Sequence, residues 1–144
     1  MNSRMLNKLK DYEKINRKMD ELYHREASMV GLSDCAGMIL YALSMSDEPI
    51  TQKEICEEIS MPKQTVNSAL KKLETDGIIK YRPRNDRRYK DILLTEKGES
   101  FAEETSGKLI TTLCEAFSDL SDKEQDQFLR LYRKLAESFE ARIG

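Results

Sequence analysis

Apolar residues recur at helical spacing through most of the chain and give way to short runs over one stretch near its middle. Met5, Leu9, Tyr12, Ile15, Met19, Leu22 and Tyr23 fall three or four residues apart and predict a long helix over residues 3–28, ended by Gly31. Ser33 can cap a second helix through about Met45, with Met38, Ile39, Ala42 and Leu43 facing inward. Gly37 inside that helix costs about 1 kcal/mol against alanine, which points to a close helix crossing. Later, Thr95 can cap a helix to about Phe117, with an apolar face of Phe101, Leu109, Ile110, Leu113 and Phe117 and a candidate bend at Gly107. Ser121-Asp122-Lys123-Glu124 reads as a capping box. The last helix it opens carries Phe128, Leu131, Tyr132, Leu135, Phe139 and Ile143 at near-heptad spacing. Amphipathic helices at both chain ends need a surface to bury against, and a second subunit supplies one.

The middle stretch, Thr51 to Leu94, has a different rhythm. Thr51-Gln52-Lys53-Glu54 is a second capping box, with Ile50 and Ile55 at the positions of a hydrophobic staple. Ile55, Cys56 and Ile59 form the apolar face of a short helix that stops near Met61, because Pro62 disfavours α geometry in the residue before it. Pro62 then suits the first turn of a helix running to about Asp76. Val66, Ala69, Leu70 and Leu73 make its buried face, and Gly77 is placed for a left-handed C-cap. Its outer face carries Gln64, Ser68 and Lys71, flanked by Lys63, Thr65, Asn67 and Lys72, with no acid between Glu58 and Glu74. Such a helix, tightly following another, can enter the DNA major groove. There amides and hydroxyls read base edges and lysines take phosphates. Ile78–Arg82 and Asp91–Leu94 read as strands joined by a turn-forming basic tip, Pro83-Arg84-Asn85-Asp86-Arg87-Arg88. Helix, turn, helix and basic hairpin in that order predict a winged helix-turn-helix, in a mainly α fold with a small β wing.

The charge distribution strengthens this reading. The formal net charge is −2, unfavourable for a DNA binder until it is mapped. Between Met61 and Lys90 nine basic residues stand against three acids, a local +6 that leaves −8 for the rest. One face would then attract phosphate while the remainder resists non-specific adhesion. The expected DNA contacts are Lys63, Gln64, Thr65, Asn67, Ser68, Lys71, Lys72, Arg82, Arg84, Arg87, Arg88 and Lys90. Asp86, the single acid at the tip, is expected to order the wing by holding Arg87 or Arg88 or by bonding turn amides.

Asp86-Arg87-Arg88, Ile92, Leu94-Thr95 and Gly98 resemble the wing signature of the MarR family of bacterial transcription regulators. Thr51-Gln52-Lys53-Glu54 and Lys63-Gln64-Thr65-Val66-Asn67 are similar to the two helices of that family's DNA-binding lobe. The resemblance covers the whole chain in length and helix order and is specific between about Leu43 and Gly98. Pro62 departs from it, since many relatives carry a small polar cap there. The resemblance implies one domain over 1–144, with dimerisation helices in 1–31 and 99–144 and a winged lobe over 33–98. It also implies a homodimeric repressor on double-stranded DNA at a palindromic operator, released by a small aromatic effector, with phenolic compounds the first candidates.

Other chemistry finds less material. The 144 residues suit one domain, and 35% charged with 39% hydrophobic residues fits a helical protein away from membranes. No apolar run approaches the roughly 18 residues of a membrane span, and no secretory h-region is visible, so the cytoplasm is the expected compartment. There is no G-x-S-x-G, no phosphate-cradling glycine loop and no Cys/His pairing, so no enzyme is expected. His24 is the only histidine, and the cysteines Cys35, Cys56 and Cys114 are scattered, so no metal or cofactor is expected. Cys56 and Cys114 read as small buried hydrophobes. Cys35, in the first turn after Ser33, could have its thiol pKa lowered by the helix N-terminus, against the opposing Asp34. That makes oxidant sensing through Cys35 an alternative regulation, although relatives that sense peroxide carry their cysteine in the first helix, where this chain has none. Tyr12, Tyr23 and Tyr41 with the seven methionines could line an effector pocket or be core. A winged-helix protein-interaction module is the remaining alternative, favoured only if the outer face of residues 63–72 were acidic or apolar.

Overall fold

Seven α-helices, one π-helical turn and a three-stranded antiparallel sheet make up the chain, which is 73% helical. The structure is a computed structural model describing residues 1–144. It divides into two units, Met1–Lys108 and Leu109–Gly144.

In the first unit, α1 (Ser3–Met29) leads to α2 (Asp34–Met45), β1 (Ile50–Thr51), α3 (Gln52–Ile59), α4 (Lys63–Thr75), β2 (Ile79–Pro83), β3 (Lys90–Leu94) and α5 (Glu96–Ala102). Local chemistry sets most of these boundaries. Ser33 caps α2 by accepting the Ala36 N–H, and Thr51 and Glu54 form the reciprocal capping box of α3. α4 ends in a paired closure: the Gly77 N–H donates to Glu74 and the Ile78 N–H to Leu73, with Gly77 at φ +73°. α1 closes the same way around Gly31. Ile39, Leu40, Ile55, Val66, Leu70, Leu73, Ile79 and Ile92 are each less than 2% exposed. At about 1.5–3 kcal/mol per buried aliphatic side chain, this core holds α3 and α4 against α2 and the sheet.

The sheet order is β1-β3-β2. β1 is too short to show a period, and the alternation rule does not reveal it. The wing strands are displaced by one residue from expectation at their start: Ile78 lies outside β2 because its N–H closes α4, and Pro83 opposite Lys90 ends the strand. Three further expectations need correction. Met38 is not inward but 40% exposed, because the buried arc of α2 runs through Cys35, Ala36, Ile39, Leu40 and Ala42. Pro62 is the N-cap of α4 rather than its first turn, and α3 stops at Ile59 because Ser60 adopts a left-handed φ of 49°. The helix after Thr95 is not uniform, since residues Glu103–Gly107 are π-helical before α6 (Lys108–Ser118). Thr105 and Ser106 donate their hydroxyls to the Phe101 and Ala102 carbonyls four residues back, a pattern that distorts helices.

The second unit contains most of α6 and α7 (Asp122–Ile143). Gln125 donates to the Phe117 and Leu120 carbonyls, and Phe117 meets Phe128 edge-on with ring centres 6.2 Å apart. The Ser121–Glu124 capping box is complete. Neither α1 nor α7 buries a residue, and each leaves an apolar row exposed: Met5, Leu9, Ile15, Met19 and Leu22 on α1, and Phe128, Leu131, Tyr132, Leu135, Phe139 and Ile143 on α7.

Candidate nucleic-acid interface

α4 is amphipathic in the way its sequence demands. Val66, Ala69, Leu70 and Leu73 are buried, while Lys63, Gln64, Thr65, Asn67, Ser68, Lys71 and Lys72 are all exposed. Gln64, Ser68 and Lys71 are spaced four and three residues apart and so form one stripe. Two members of the expected set are already engaged. Lys72 pairs with Asp76 at 3.1 Å, and the Asn67 carbonyl accepts a hydrogen bond from the Gln52 amide of α3. Gln52 was not among the residues expected at this surface. Nothing in its sequence position signals that it spans the turn to reach α4.

The wing tip is ordered by its own side chains. The Tyr89 N–H donates to the Asp86 carbonyl at 3.0 Å, and the Arg84 N–H to the Tyr89 carbonyl at 3.1 Å. Asp86 Oδ1 accepts the Arg88 backbone N–H and Nε–H, both at 3.1 Å, and Asp86 Oδ2 accepts Nη2–H at 2.8 Å. The Arg88 guanidinium also lies 5.8 Å from the centre of the Tyr89 ring. The Arg88 side chain, and then its backbone amide, hold the Asp86 carboxyl below the usual carboxylate range. Arg87 and Lys90 are exposed and outside every ion pair of the wing.

At the base of the wing, Arg82 and Arg84, two of the expected DNA contacts, are exposed but paired within the protein. Asp91, 6% exposed, takes both: Arg84 Nε donates at 2.6 Å and Arg82 Nη2 at 3.1 Å. Arg84 also donates to the Pro49 carbonyl at 3.4 Å. The Asp91 carboxyl is held below its ordinary range, chiefly by the Arg84 hydrogen bond. Asp91 lies one residue past the basic segment Met61–Lys90, and including it lowers the local excess to +5.

The remaining candidates fall away from this surface. Cys35 is buried, and burial, with Cys56 nearby, raises its thiol pKa, the opposite of the lowering that the helix N-terminus was expected to give. Cys56 is half-buried and packs against the core, whereas Cys114, expected to be buried, is exposed. His24 is exposed and bonds Asp34 at 2.6 Å. Tyr23 packs edge-on against Tyr41 with ring centres 5.9 Å apart. Neither these two nor Tyr12 lines the cleft walled by Arg84 and Glu54 or the cleft walled by Leu32, Pro62 and Ser68. No group of three His, Cys, Asp or Glu side chains converges as a metal site, and no single helix is long and apolar enough to cross a membrane.

Known proteins share this arrangement. Residues 30–88, from the end of α1 to Arg88, match the family model described as the MarR family. The HTH-type transcriptional regulator YwoH of Bacillus subtilis is 32% identical over 103 residues, 72% of this chain and 74% of its own length. NMB1585, a MarR family regulator from Neisseria meningitidis, superposes with a TM-score of 0.79 at 26% identity, over 99% of this chain and 97% of its own. The S. aureus MepR–DNA complex superposes with a TM-score of 0.66 at 21% identity, over 89% and 94%. A basic recognition helix with a hairpin wing on this fold is the apparatus of a DNA-binding regulator, not of an enzyme. The chain belongs to the MarR family of winged helix-turn-helix transcription regulators.

Proposed function

We propose that this protein is a cytoplasmic, homodimeric repressor that binds a palindromic operator and is released by a small aromatic effector. The observation that carries the DNA half of the reading is the exposed stripe of α4. Gln64, Ser68 and Lys71 offer an amide, a hydroxyl and an ammonium with no acid among them, beside Lys63 and Thr65. Arg87, Arg88 and Lys90 extend the positive surface to the wing, where a guanidinium can enter a narrow minor groove. A protein-interaction module would want an acidic or apolar stripe.

The exposed apolar rows of α1 and α7 support self-association. Isolated surface leucines are ordinary, but rows at helical spacing are not. A second copy that covers both rows makes 1–31 and 99–144 the dimerisation regions and 33–98 the DNA lobe. Two-fold symmetry then sets two recognition helices on half-sites about 34–36 Å apart. The effector follows from the family resemblance, and it acts only by binding one lobe spacing better than another.

Selection of bound duplexes from a random pool, paired with sedimentation equilibrium, tests this reading. Inverted repeats about one helical turn apart and a dimer mass are expected. A monomer that enriches no repeat would sink it. Deleting residues 136–144 should weaken self-association and DNA binding together.

A further inference from the structure

We propose that Asp91 is a positioning residue for DNA recognition, latching the base of the wing and withholding the Arg82 and Arg84 guanidiniums from phosphate. The inference rests on the DNA-binding reading and concerns what two of its nominal cations actually do.

Three observations carry it. Asp91 sits in the central strand, directly opposite Arg82 in β2 and Thr51 in β1. Its two oxygens are divided between two arginines: Oδ1 takes Arg84 at 2.6 Å and Oδ2 takes Arg82 at 3.1 Å. Arg84 continues to the Pro49 carbonyl, so one carboxylate joins β2, the start of the wing tip and the entry to β1. Next, Asp91 is buried, and a buried carboxylate requires its cationic partners, since losing one leaves an uncompensated charge. The acid remains ionised at neutral pH because Arg84 holds its pKa down, so the latch stays closed under physiological conditions. Finally, Arg84 lies in a cleft whose walls include Glu48, Glu54, Glu58 and Asp91. Four carboxylates around one guanidinium produce a field that repels a phosphate backbone.

The consequence is for specificity. Cations free to meet phosphate add affinity for any sequence, about 0.9 to the salt slope for each contact. A wing that displayed Arg82 and Arg84 unpaired, beside Arg87 and Lys90, would adhere more strongly to every duplex. Pairing two of them with one carboxylate at the wing's base, although both stay exposed, lowers that background and fixes where the ordered tip points.

The test compares wild type, Asp91→Asn, Asp91→Glu and Arg84→Gln. Each is titrated by fluorescence anisotropy between 50 and 200 mM KCl, against a duplex selected by the wild type and a scrambled duplex of equal length. Asp91→Asn removes the charge that pairs both guanidiniums, so its salt slope on the scrambled duplex should steepen by about 0.9 when Arg82 alone reaches phosphate and by nearly 2 when Arg84 follows, roughly a three- to tenfold extra gain in affinity over that salt range. Its preference for the selected duplex should fall accordingly. Asp91→Glu keeps the charge and should stay near the wild-type slope. Arg84→Gln should also keep the wild-type slope, whereas an Arg84 in contact with phosphate would make it shallower by about 0.9. This variant decides the matter even if Asp91→Asn fails to fold. An unchanged slope and preference in a folded Asp91→Asn, or a shallower slope in Arg84→Gln, overturns the latch alone. Wild-type protein that binds neither duplex overturns the DNA reading itself, and the latch with it.

Discussion

No side chain fits at Gly98: a Cβ built there lies 1.9 Å from the carbonyl oxygen of Ile78. That carbonyl also accepts the Thr95 N–H at 3.0 Å, and the Thr95 hydroxyl caps α5 through the Gly98 N–H. The first turn of α5 is thereby pinned to the start of the wing. Gly98→Ala forces backbone apart from backbone and should cost about 3 kcal/mol or more, at the severe end for single substitutions. Urea unfolding measures this, and a midpoint equal to that of the wild type would mean that the helix slides freely on Ile78.

The Asp86–Arg88 pair makes opposite predictions for an ordered and a disordered tip. If the three hydrogen bonds order the wing before it meets DNA, Asp86→Ala weakens binding by a few-fold although it removes a negative charge. A flexible phosphate brush would bind more tightly. The effect has a pH signature. Because Arg88 lowers the folded-state pKa of Asp86, the ordering is fully present above the ordinary carboxylate range and is lost as pH falls through the depressed value. The affinity gap between wild type and Asp86→Asn should therefore hold steady around neutrality and narrow only on strong acidification.

Within α4 the amide and the ammonium should separate cleanly. Gln64→Ala is expected to relax base preference at one position by about 1–3 kcal/mol, measured by selection on random duplexes. Lys71→Ala should instead weaken binding to all sequences and flatten the salt slope by about 0.9. Equal losses on every sequence from Gln64→Ala would show that it does not read a base.

Thiol labelling should follow burial. Cys114 is exposed, Cys56 half-buried and Cys35 4% exposed with a raised pKa. A small disulfide reagent should modify Cys114 first, then Cys56, and Cys35 only when denaturant opens the core. Rapid labelling of Cys35 in the native protein, with loss of DNA binding, would return oxidation to consideration.

Much of this molecule was legible in its sequence because many of its rules are local. The capping boxes at Thr51 and Ser121 and the glycine closures at Gly31 and Gly77 depend on residues within one turn. The winged helix-turn-helix followed from their order. The close crossing expected at Gly37 is present: its Cβ would lie 2.9 Å from that of Ala27. Met38, expected inward on α2, is exposed because periodicity locates a stripe without fixing which edge a neighbour covers. Charge was the poorest guide. Composition counts Arg82 and Arg84 among the cations available for DNA, and spacing gives no reason to separate them from Arg87 and Lys90. Only the pairing of β2 with β3 sets Arg82 opposite Asp91, and only the fold brings Pro49, 35 residues away, to the Arg84 guanidinium. A hydrogen bond needs its partners within about 3 Å, so which cations are paired within the protein depends on contacts distant in sequence, and the tertiary structure decided it.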